Sequence, residues 1–190
     1  MTPDDIKQRL VEAIEGSQAS ESGGGKFARA TVDVPVERWV EAIQTAKTEL
    51  GCDFFDFLTA VDELPGGFTI VAHLWSTVQK HGVLVRTTIN RDMSEIDSVV
   101  GVFPGAGWHE RETHEMFGIT FKNNENMKPL LLPDEFEGHP LRKEFVLASR
   151  VAKPWPGAKE PGESEHTVSK RAPMRPPGVP SPDEWPGGRG

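Results

Sequence analysis

The sequence VERWVEAIQTAKTEL, residues 36–50, predicts how the layers of the fold are arranged. Its apolar side chains recur at helical spacing and form one stripe, whereas charged side chains occupy the rest of the surface. The stripe consists of Val36, Trp39, Val40, Ile43, Ala46 and Leu50. Gly51 follows, where a glycine commonly ends a helix. An amphipathic helix of this kind buries its apolar face, so we expect it to cover a sheet.

The segments on either side of this helix predict the strands of that sheet. Residues 27–34 alternate between apolar and polar side chains in period two. Residues 52–63 are rich in Phe, and a Leu-Pro-Gly-Gly turn at 64–67 leads into a second strand over 68–75. A further turn precedes a third strand over 83–90. This order predicts an α+β fold, a two-layer domain with a mostly antiparallel sheet packed by helices.

The composition divides the chain into four regions. Residues 1–15 carry apolar positions at helical spacing and predict an N-terminal amphipathic helix. Residues 16–26 are rich in Gly and Ser and predict a flexible linker. Residues 27–147 contain the α+β domain. Residues 148–190 predict a long extended C-terminal arm, since 15 of the 40 residues from 151 onward are Pro or Gly.

The overall composition excludes several classes of protein. A net charge of −8 and a pI near 5.3 argue against a nucleic-acid binder, because phosphate neutralisation needs concentrated Lys and Arg. The single cysteine, Cys52, excludes an internal disulfide framework and cannot supply the four thiolates usual for an iron–sulfur cluster. It lies in a Phe-rich strand, where a thiol is usually inert packing. No run of about 18 apolar residues is present to span a membrane.

A second helix is predicted in the densely charged stretch WHERETHEMFGI, residues 108–119. It begins near Ala106, and Gly118 is placed to end it in the left-handed conformation. Residues 97–103 predict a short helical approach to it. Within the helix, Glu110 with His114 and Arg111 with Glu115 are four residues apart, the spacing of side-chain pairs on one helical face. A solvated or interface helix is therefore the simplest interpretation.

The histidines of this stretch could suggest a metal site, but their spacing argues against one. His109 and His114 are five residues apart, whereas the zinc protease motif places its histidines four apart on one helical face. A third ligand, His139, would need a specific tertiary arrangement. A metal-dependent hydrolase using these three residues stays a remote alternative, and no catalytic, cofactor-binding or metal-ligating residue is predicted. The isolated His73 and His81 are expected to have structural roles in a strand and a turn.

Two motifs together resemble one known family. The stretch ERETHEMFGITF, residues 110–121, is similar to the signature of the 30-kDa subunit, also called the C subunit, of respiratory complex I, NADH:quinone oxidoreductase. The downstream stretch EGHPLRK, residues 137–143, is similar to an arm found in the same family. The segment 124–129 departs from the family, which usually has His-Pro and an Arg-rich turn there. The resemblance covers roughly residues 27–147.

The resemblance implies a structural subunit without its own catalytic residues or cofactors, in the peripheral arm of a proton-translocating complex. FMN, iron–sulfur clusters and quinone are expected in partner subunits, and the partners would be the quinone-site (49-kDa-like) subunit and iron–sulfur subunits. The implied location is the cytoplasmic side of the cell membrane, peripheral and without a membrane span. The alternatives are the equivalent subunit of a membrane-bound hydrogenase, a formate hydrogenlyase or a deazaflavin-dependent quinone reductase. The predicted subunit-interface residues are Glu110, Arg111, Glu112, Met116, Phe117, Gly118, His139, Pro140, Leu141, Arg142 and Lys143.

Overall fold

The computed structural model describes residues 1–23 and 28–146. The described helices are α1 (Pro3–Ala13), α2 (Trp39–Thr48) and α3 (Ala106–Phe117), and a 3₁₀ turn (Val36–Arg38) leads directly into α2. The described strands are β1 (Gln18–Ser22), β2 (Arg29–Asp33), β3 (Phe54–Glu63), β4 (Gly67–Trp75), β5 (Gly82–Ile89), β6 (Glu95–Asp97) and β7 (Thr120–Lys122). The predicted α+β class is confirmed.

Five of the strands form one mixed sheet in the order β1-β2-β5-β4-β3. The predicted meander is present, since β4 pairs antiparallel with both β3 and β5 and Ile70 lies opposite Ala60 and Thr87. Strand β2 runs parallel to β5, and α2 separates it from the meander along the chain. Strand β1 pairs antiparallel with β2 at the edge. The mostly antiparallel sheet is therefore confirmed, with one parallel pair.

The core lies between one face of this sheet and the helices. Helix α2 buries Trp39, Ala42, Ile43 and Ala46. Trp39, Ile43 and Ala46 belong to the predicted stripe, and Ala42 was not predicted to be part of it. From the sheet, alternate residues such as Ile70, Ala72 and Leu74 of β4 enter the same core. Cys52 is also buried there, and burial, followed by the charge of Asp53, raises the pKa of its thiol to about 11. These contacts account for the two-layer arrangement.

The prediction of a flexible linker over residues 16–26 is wrong for its first half. Gln18–Ser22 form the edge strand β1, which pairs with β2 along its whole length. Helix α1 packs in the core through Ile6 and Leu10, which are 1% and 0% exposed. This short strand of Gln, Ala, Ser and Glu carries no apolar alternation. Backbone pairing with β2 stabilises it instead. Composition alone therefore does not reveal it.

The helical approach predicted over residues 97–103 is also wrong. Glu95–Asp97 form strand β6, which pairs in parallel with β7, the strand that follows α3. The chain then turns through Val99 to Phe103, and these two residues are buried. A three-residue strand is too short to show a period in sequence, so its long-range partner determines the conformation. The β6–β7 pair brackets α3 and sets its position.

Among the described residues, no helix is both long enough and apolar enough to cross a membrane.

Candidate functional site: a helix and its C-terminal cap

Helix α3 begins and ends where the sequence predicts. It starts at Ala106, and Gly118 follows it with φ +71°, in the left-handed conformation that ends many helices. The N–H of Gly118 donates to the carbonyl of His114 at 2.8 Å. Met116 and Phe117 in the last turn are buried and belong to the core. The helix is thus anchored to the domain at its C-terminal end.

Glu110 anchors the other side of α3 from inside the protein. Its side chain is fully buried and accepts three hydrogen bonds, from Ser98 Oγ at 2.7 Å, Val99 N at 2.8 Å and Asn124 Nδ2 at 2.8 Å. The predicted Glu110–His114 pair is therefore wrong, because His114 donates instead through Nδ1 to the carbonyl of Ile119. One carboxylate joins the segments before and after the helix.

Arg111 and Glu115 hold the irregular segment 128–132 along the helix. The Arg111 guanidinium donates to the carbonyls of Lys128 and Pro129 at 2.8 and 2.7 Å. The Glu115 carboxylate accepts from three successive backbone N–H groups, those of residues 130–132. Partial burial opposes its ionisation, but these three donors and the charge of Arg111 lower the pKa of Glu115. The two residues predicted to pair with each other mainly bind backbone.

The downstream motif caps the C-terminal end of α3. The last carbonyls of a helix have no partner within it, and side chains or backbone from elsewhere must satisfy them. Here His139 Nδ1 donates to the carbonyl of Glu115 at 2.8 Å, Leu141 N to that of Met116 at 3.1 Å, and Arg142 Nε to that of Phe117 at 2.6 Å. A cation at this end also interacts favourably with the helix dipole. We call residues 139–142 the α3 cap.

Gly118 leaves the space that the α3 cap occupies. A Cβ placed there would lie 2.5 Å from His139 Nε2 and 2.6 Å from Arg142 Nη2. Both distances are far shorter than van der Waals contact. Gly118 therefore serves two purposes, the left-handed backbone and the close approach of the cap.

A charge cluster on the sheet holds the segment that follows the cap. Asp62, buried at the end of β3, accepts from Arg91 and from the backbone N–H of Lys143. Arg91 also pairs with Glu144 at 2.7 Å. The Phe68 ring lies below two guanidinium groups, with Arg91 Cζ at 4.6 Å and Arg142 Cζ at 5.3 Å from its centroid. The cap is thus fastened to the sheet as well as to α3.

The structure brings both predicted motifs into one unit. Glu110, Met116 and Phe117 face inward and are buried within the chain itself. Glu112 and Lys143 are exposed, and their side chains form no hydrogen bond or ion pair with any residue in the described ranges. Pro140 is partly buried and Leu141 is exposed, both within the cap. Their assignment to a subunit interface stays a prediction.

Sequence reasoning missed the residues that support the unit and the apolar side chains beside it. Asp62 had a detectable signal, because a carboxylate occupies the inward position after Leu58 and Ala60 in a period-two strand. Trp108 on α3 is 63% exposed, and Leu131, in the loop whose backbone Glu115 holds, is 59% exposed. The sequence around Trp108 and Leu131 shows no pattern that distinguishes a docking residue from an ordinary exposed residue.

The three histidines considered as metal ligands are bonded or stacked separately. His114 and His139 each direct Nδ1 to a backbone carbonyl, and the His109 ring lies 5.6 Å from that of Phe55. Residues 1–23 and 28–146 contain no group of three or more His, Cys, Asp or Glu side chains placed to hold a metal ion.

Comparison with known proteins identifies the family. The family described as "Respiratory-chain NADH dehydrogenase, 30 Kd subunit" matches residues 32–151, more than half of the chain. The chain belongs to this family. The C subunit of the NADH-quinone oxidoreductase of Citrifermentans bemidjiense is 36% identical over 154 residues, covering 80% of this chain and 92% of that protein. The family predicted from the two motifs is confirmed.

Two further relatives show how widely the 30-kDa-subunit fold is used. A Shewanella woodyi protein, named as the C/D subunit of NADH-quinone oxidoreductase, is 44% identical over 85 residues, which are 44% of this chain and 14% of that protein. A chain of the solved membrane-bound sulfane sulfur reductase, an archaeal respiratory membrane complex, matches with a TM-score of 0.66 and 25% identity. The match covers 76% of this chain and 86% of that one. The fold thus occurs in respiratory complexes of more than one kind.

The buried carboxylate of Glu110 predicts a pH dependence of stability. Burial raises the pKa of Glu110 above its ordinary value of 4.5, although its three hydrogen bonds oppose the shift. The folded state then binds this proton more tightly than the unfolded state does. The stabilisation that this difference gives the folded state is fully present below pH 4.5, and it is lost as the pH rises through the pKa of Glu110 in the folded state. Urea unfolding of wild type and Glu110→Gln, which cannot ionise there, should show wild type gaining relative stability as pH falls toward that range. A constant difference, or the opposite slope, would refute the shift.

Proposed function

We propose that the chain is a non-catalytic structural subunit in the peripheral arm of a proton-translocating NADH:quinone oxidoreductase. The observation that carries the proposal is the capped helix α3, whose motif side chains bind the chain's own backbone. Glu110, Glu115, His114 and His139 are each engaged in hydrogen bonds that fasten one segment to another. Such groups hold a surface in shape, as a docking subunit requires.

The docking surface of this proposal is the exposed side of α3 and its neighbouring loop. Trp108, Arg111, Glu112 and Leu131 form what we call the α3 rim. The Arg111 guanidinium lies 5.2 Å from the Trp108 ring centroid, and its bonds to residues 128 and 129 bring the Leu131 loop alongside. Trp and Arg are enriched among the residues that contribute most to protein interfaces, and the exposed Leu131 adds apolar surface to this side of the domain. The buried Glu110 and the α3 cap fasten the helix that carries the rim to the rest of the domain.

The partner proposed for this rim is the quinone-site, 49-kDa-like subunit, with iron–sulfur subunits beside it. The Shewanella woodyi relative supports a partner subunit that lies close to this chain, because its name assigns the C and D subunits to one polypeptide. In this arrangement FMN, the iron–sulfur clusters and quinone belong to partner subunits. The chain would lie on the cytoplasmic side of the membrane, held by its partners.

The alternative is the equivalent subunit of a related membrane complex, such as a membrane-bound hydrogenase, a formate hydrogenlyase or a deazaflavin-dependent quinone reductase. The similarity to a chain of the archaeal sulfane sulfur reductase complex supports this alternative. The 36% identity to the Citrifermentans bemidjiense protein, over most of both chains, favours the NADH:quinone oxidoreductase.

Isolation of the native assembly tests the proposal. The chain, tagged in its own organism, should be purified from membranes in mild detergent, and the accompanying proteins identified by mass spectrometry. We expect a 49-kDa-like subunit, iron–sulfur subunits and NADH:quinone reductase activity in the same fraction. Hydrogenase or formate dehydrogenase subunits would support the alternative. A chain recovered alone, without any respiratory subunit, would refute both.

A further inference from the structure

A basic cavity lies apart from the α3 cap, between the first turn of α1, the start of β2 and the β4–β5 turn. Its volume is about 250 Å³. Among the described residues that line this cavity, all the titratable side chains are basic. The whole chain, by contrast, carries a net charge of −8. The basic residues are Arg29, His73, Lys80 and His81, with Trp75 as an aromatic wall. Clustered positive charge in a cavity of an acidic chain favours an anionic ligand.

At this cavity, one imidazole nitrogen of His73 has no hydrogen-bond partner among the described residues. His73 Nδ1 lies 2.7 Å from Asp56 Oδ2, and because a carboxylate only accepts, Nδ1 carries the proton. His73 Nε2 forms no hydrogen bond with a residue in the described ranges, although the residue is only 7% exposed. In the neutral ring this nitrogen is an acceptor. A ligand that pairs with the neutral ring must therefore offer a donor to this nitrogen.

Gly82 packs closely against the His73 and Trp75 rings. A Cβ at Gly82 would lie 2.8 Å from His73 Nε2 and 2.7 Å from Trp75 Cε3. Because Gly82 has no side chain, both rings can lie directly against its backbone at one wall of the cavity. Beside it, His81 Nε2 donates to the carbonyl of Leu50 at 2.9 Å, so this ring is a fixed wall of the cavity. Its Nδ1 is buried and has no partner among the residues described.

Two cationic side chains lie at the mouth of the cavity. Arg29 is exposed, and within the described ranges its guanidinium forms no hydrogen bond or ion pair. Lys80 lies in the β4–β5 turn, and the acid that faces it is Asp53, whose carboxylate accepts from Thr77 N and Oγ1. Both cations are therefore available to a common anion, with partial competition from Asp53. Charge-assisted hydrogen bonds of this kind are among the strongest in proteins.

We propose that this cavity binds free hydrogen phosphate. Its anionic oxygens would accept from Arg29 and Lys80, and its hydroxyl would donate to His73 Nε2. Sulfate has the same shape and charge but no hydroxyl, so it would leave Nε2 unpaired. A phosphate monoester also lacks a hydroxyl above pH about 6. The hydroxyl thus separates free phosphate from the headgroup of a lipid or a nucleotide.

Calorimetric titration of the full 190-residue chain with inorganic phosphate, sulfate and glycerol 3-phosphate tests this at mildly alkaline pH and constant ionic strength. We expect saturable one-to-one binding of phosphate, with sulfate and glycerol 3-phosphate weaker by on the order of tenfold. The double variant Arg29→Gln with Lys80→Asn should weaken phosphate binding by at least about tenfold. His73→Phe should abolish the preference for phosphate over sulfate.

The matched control removes two positive charges elsewhere. Lys122→Gln with Lys128→Gln has the same net charge as the Arg29 and Lys80 double variant, and neither residue lines the cavity. It should bind phosphate as wild type does. The proposal is overturned if wild type shows no saturable binding, if sulfate or glycerol 3-phosphate binds as tightly as phosphate, or if the control loses affinity equally. None of these outcomes bears on assembly into a respiratory complex, so the two proposals fail independently.

Discussion

Replacing Glu110 with Ala should lower the free energy of unfolding by about 2–4 kcal/mol, because three donors would lose their acceptor. Val99 N is buried, and Ser98 Oγ and Asn124 Nδ2 are partly buried. Relief from burying a carboxylate offsets part of this cost. Urea unfolding followed by circular dichroism measures the change. The loss should be cooperative, since Glu110 joins the segments on both sides of α3.

The control for this substitution lies two residues along the same helix. Glu112 is exposed and, within the described ranges, forms no hydrogen bond or ion pair. Glu112→Ala should change the free energy of unfolding by less than about 0.5 kcal/mol, as expected of a surface site. Equal effects of the two substitutions would show that Glu110 does not anchor α3.

Replacing Gly118 with Ala should destabilise the protein by about 2–3 kcal/mol. An L-residue in the left-handed conformation costs about 1–2 kcal/mol. The added Cβ would also meet His139 and Arg142 at 2.5 and 2.6 Å, so the cap would have to move away from the carbonyls of α3. Hydrogen exchange should show faster exchange at Leu141 N, whose acceptor is the carbonyl of Met116. Unfolding measurements give the total effect.

Gly107 is the matched control for Gly118. It lies in the first turn of α3, and a Cβ there would meet only Val100 Cγ2, at an ordinary 3.6 Å. Gly107→Ala should therefore be neutral or stabilise the helix by up to about 1 kcal/mol. If Gly118→Ala behaved in the same way, the close approach of the cap would be refuted.

Long periodic segments made most of the fold predictable. The stripe of residues 36–50 became α2 after one 3₁₀ turn, and the three predicted strands of the meander formed with ends shifted by at most two residues. The end of α3 at Gly118 was predictable because glycine adopts the left-handed conformation without strain. Both features depend on residues that are close to one another in the sequence.

Features that depend on distant partners were not predictable. Strand β1 has no apolar alternation, and it forms because β2 offers an edge for backbone pairing. Glu110 has the composition of a surface residue, and only Ser98, Val99 and Asn124 make its burial possible. The two motifs were expected to act together, but their direct contact is a helix cap within one chain. The predicted C-terminal arm, residues 148–190, lies outside the described residues.

Incorporation of α3 rim variants into the native complex is the most direct test of the claim that this rim docks the chain. In Trp108→Ala with Leu131→Ala, unfolding of the isolated chain should match wild type, because both side chains are exposed. The fraction recovered with the 49-kDa-like subunit in mild detergent should fall at least about tenfold. The control variant Val78→Ala with Met93→Ala, also exposed, should assemble normally. Assembly of the rim variant at the wild-type level would contradict the claim.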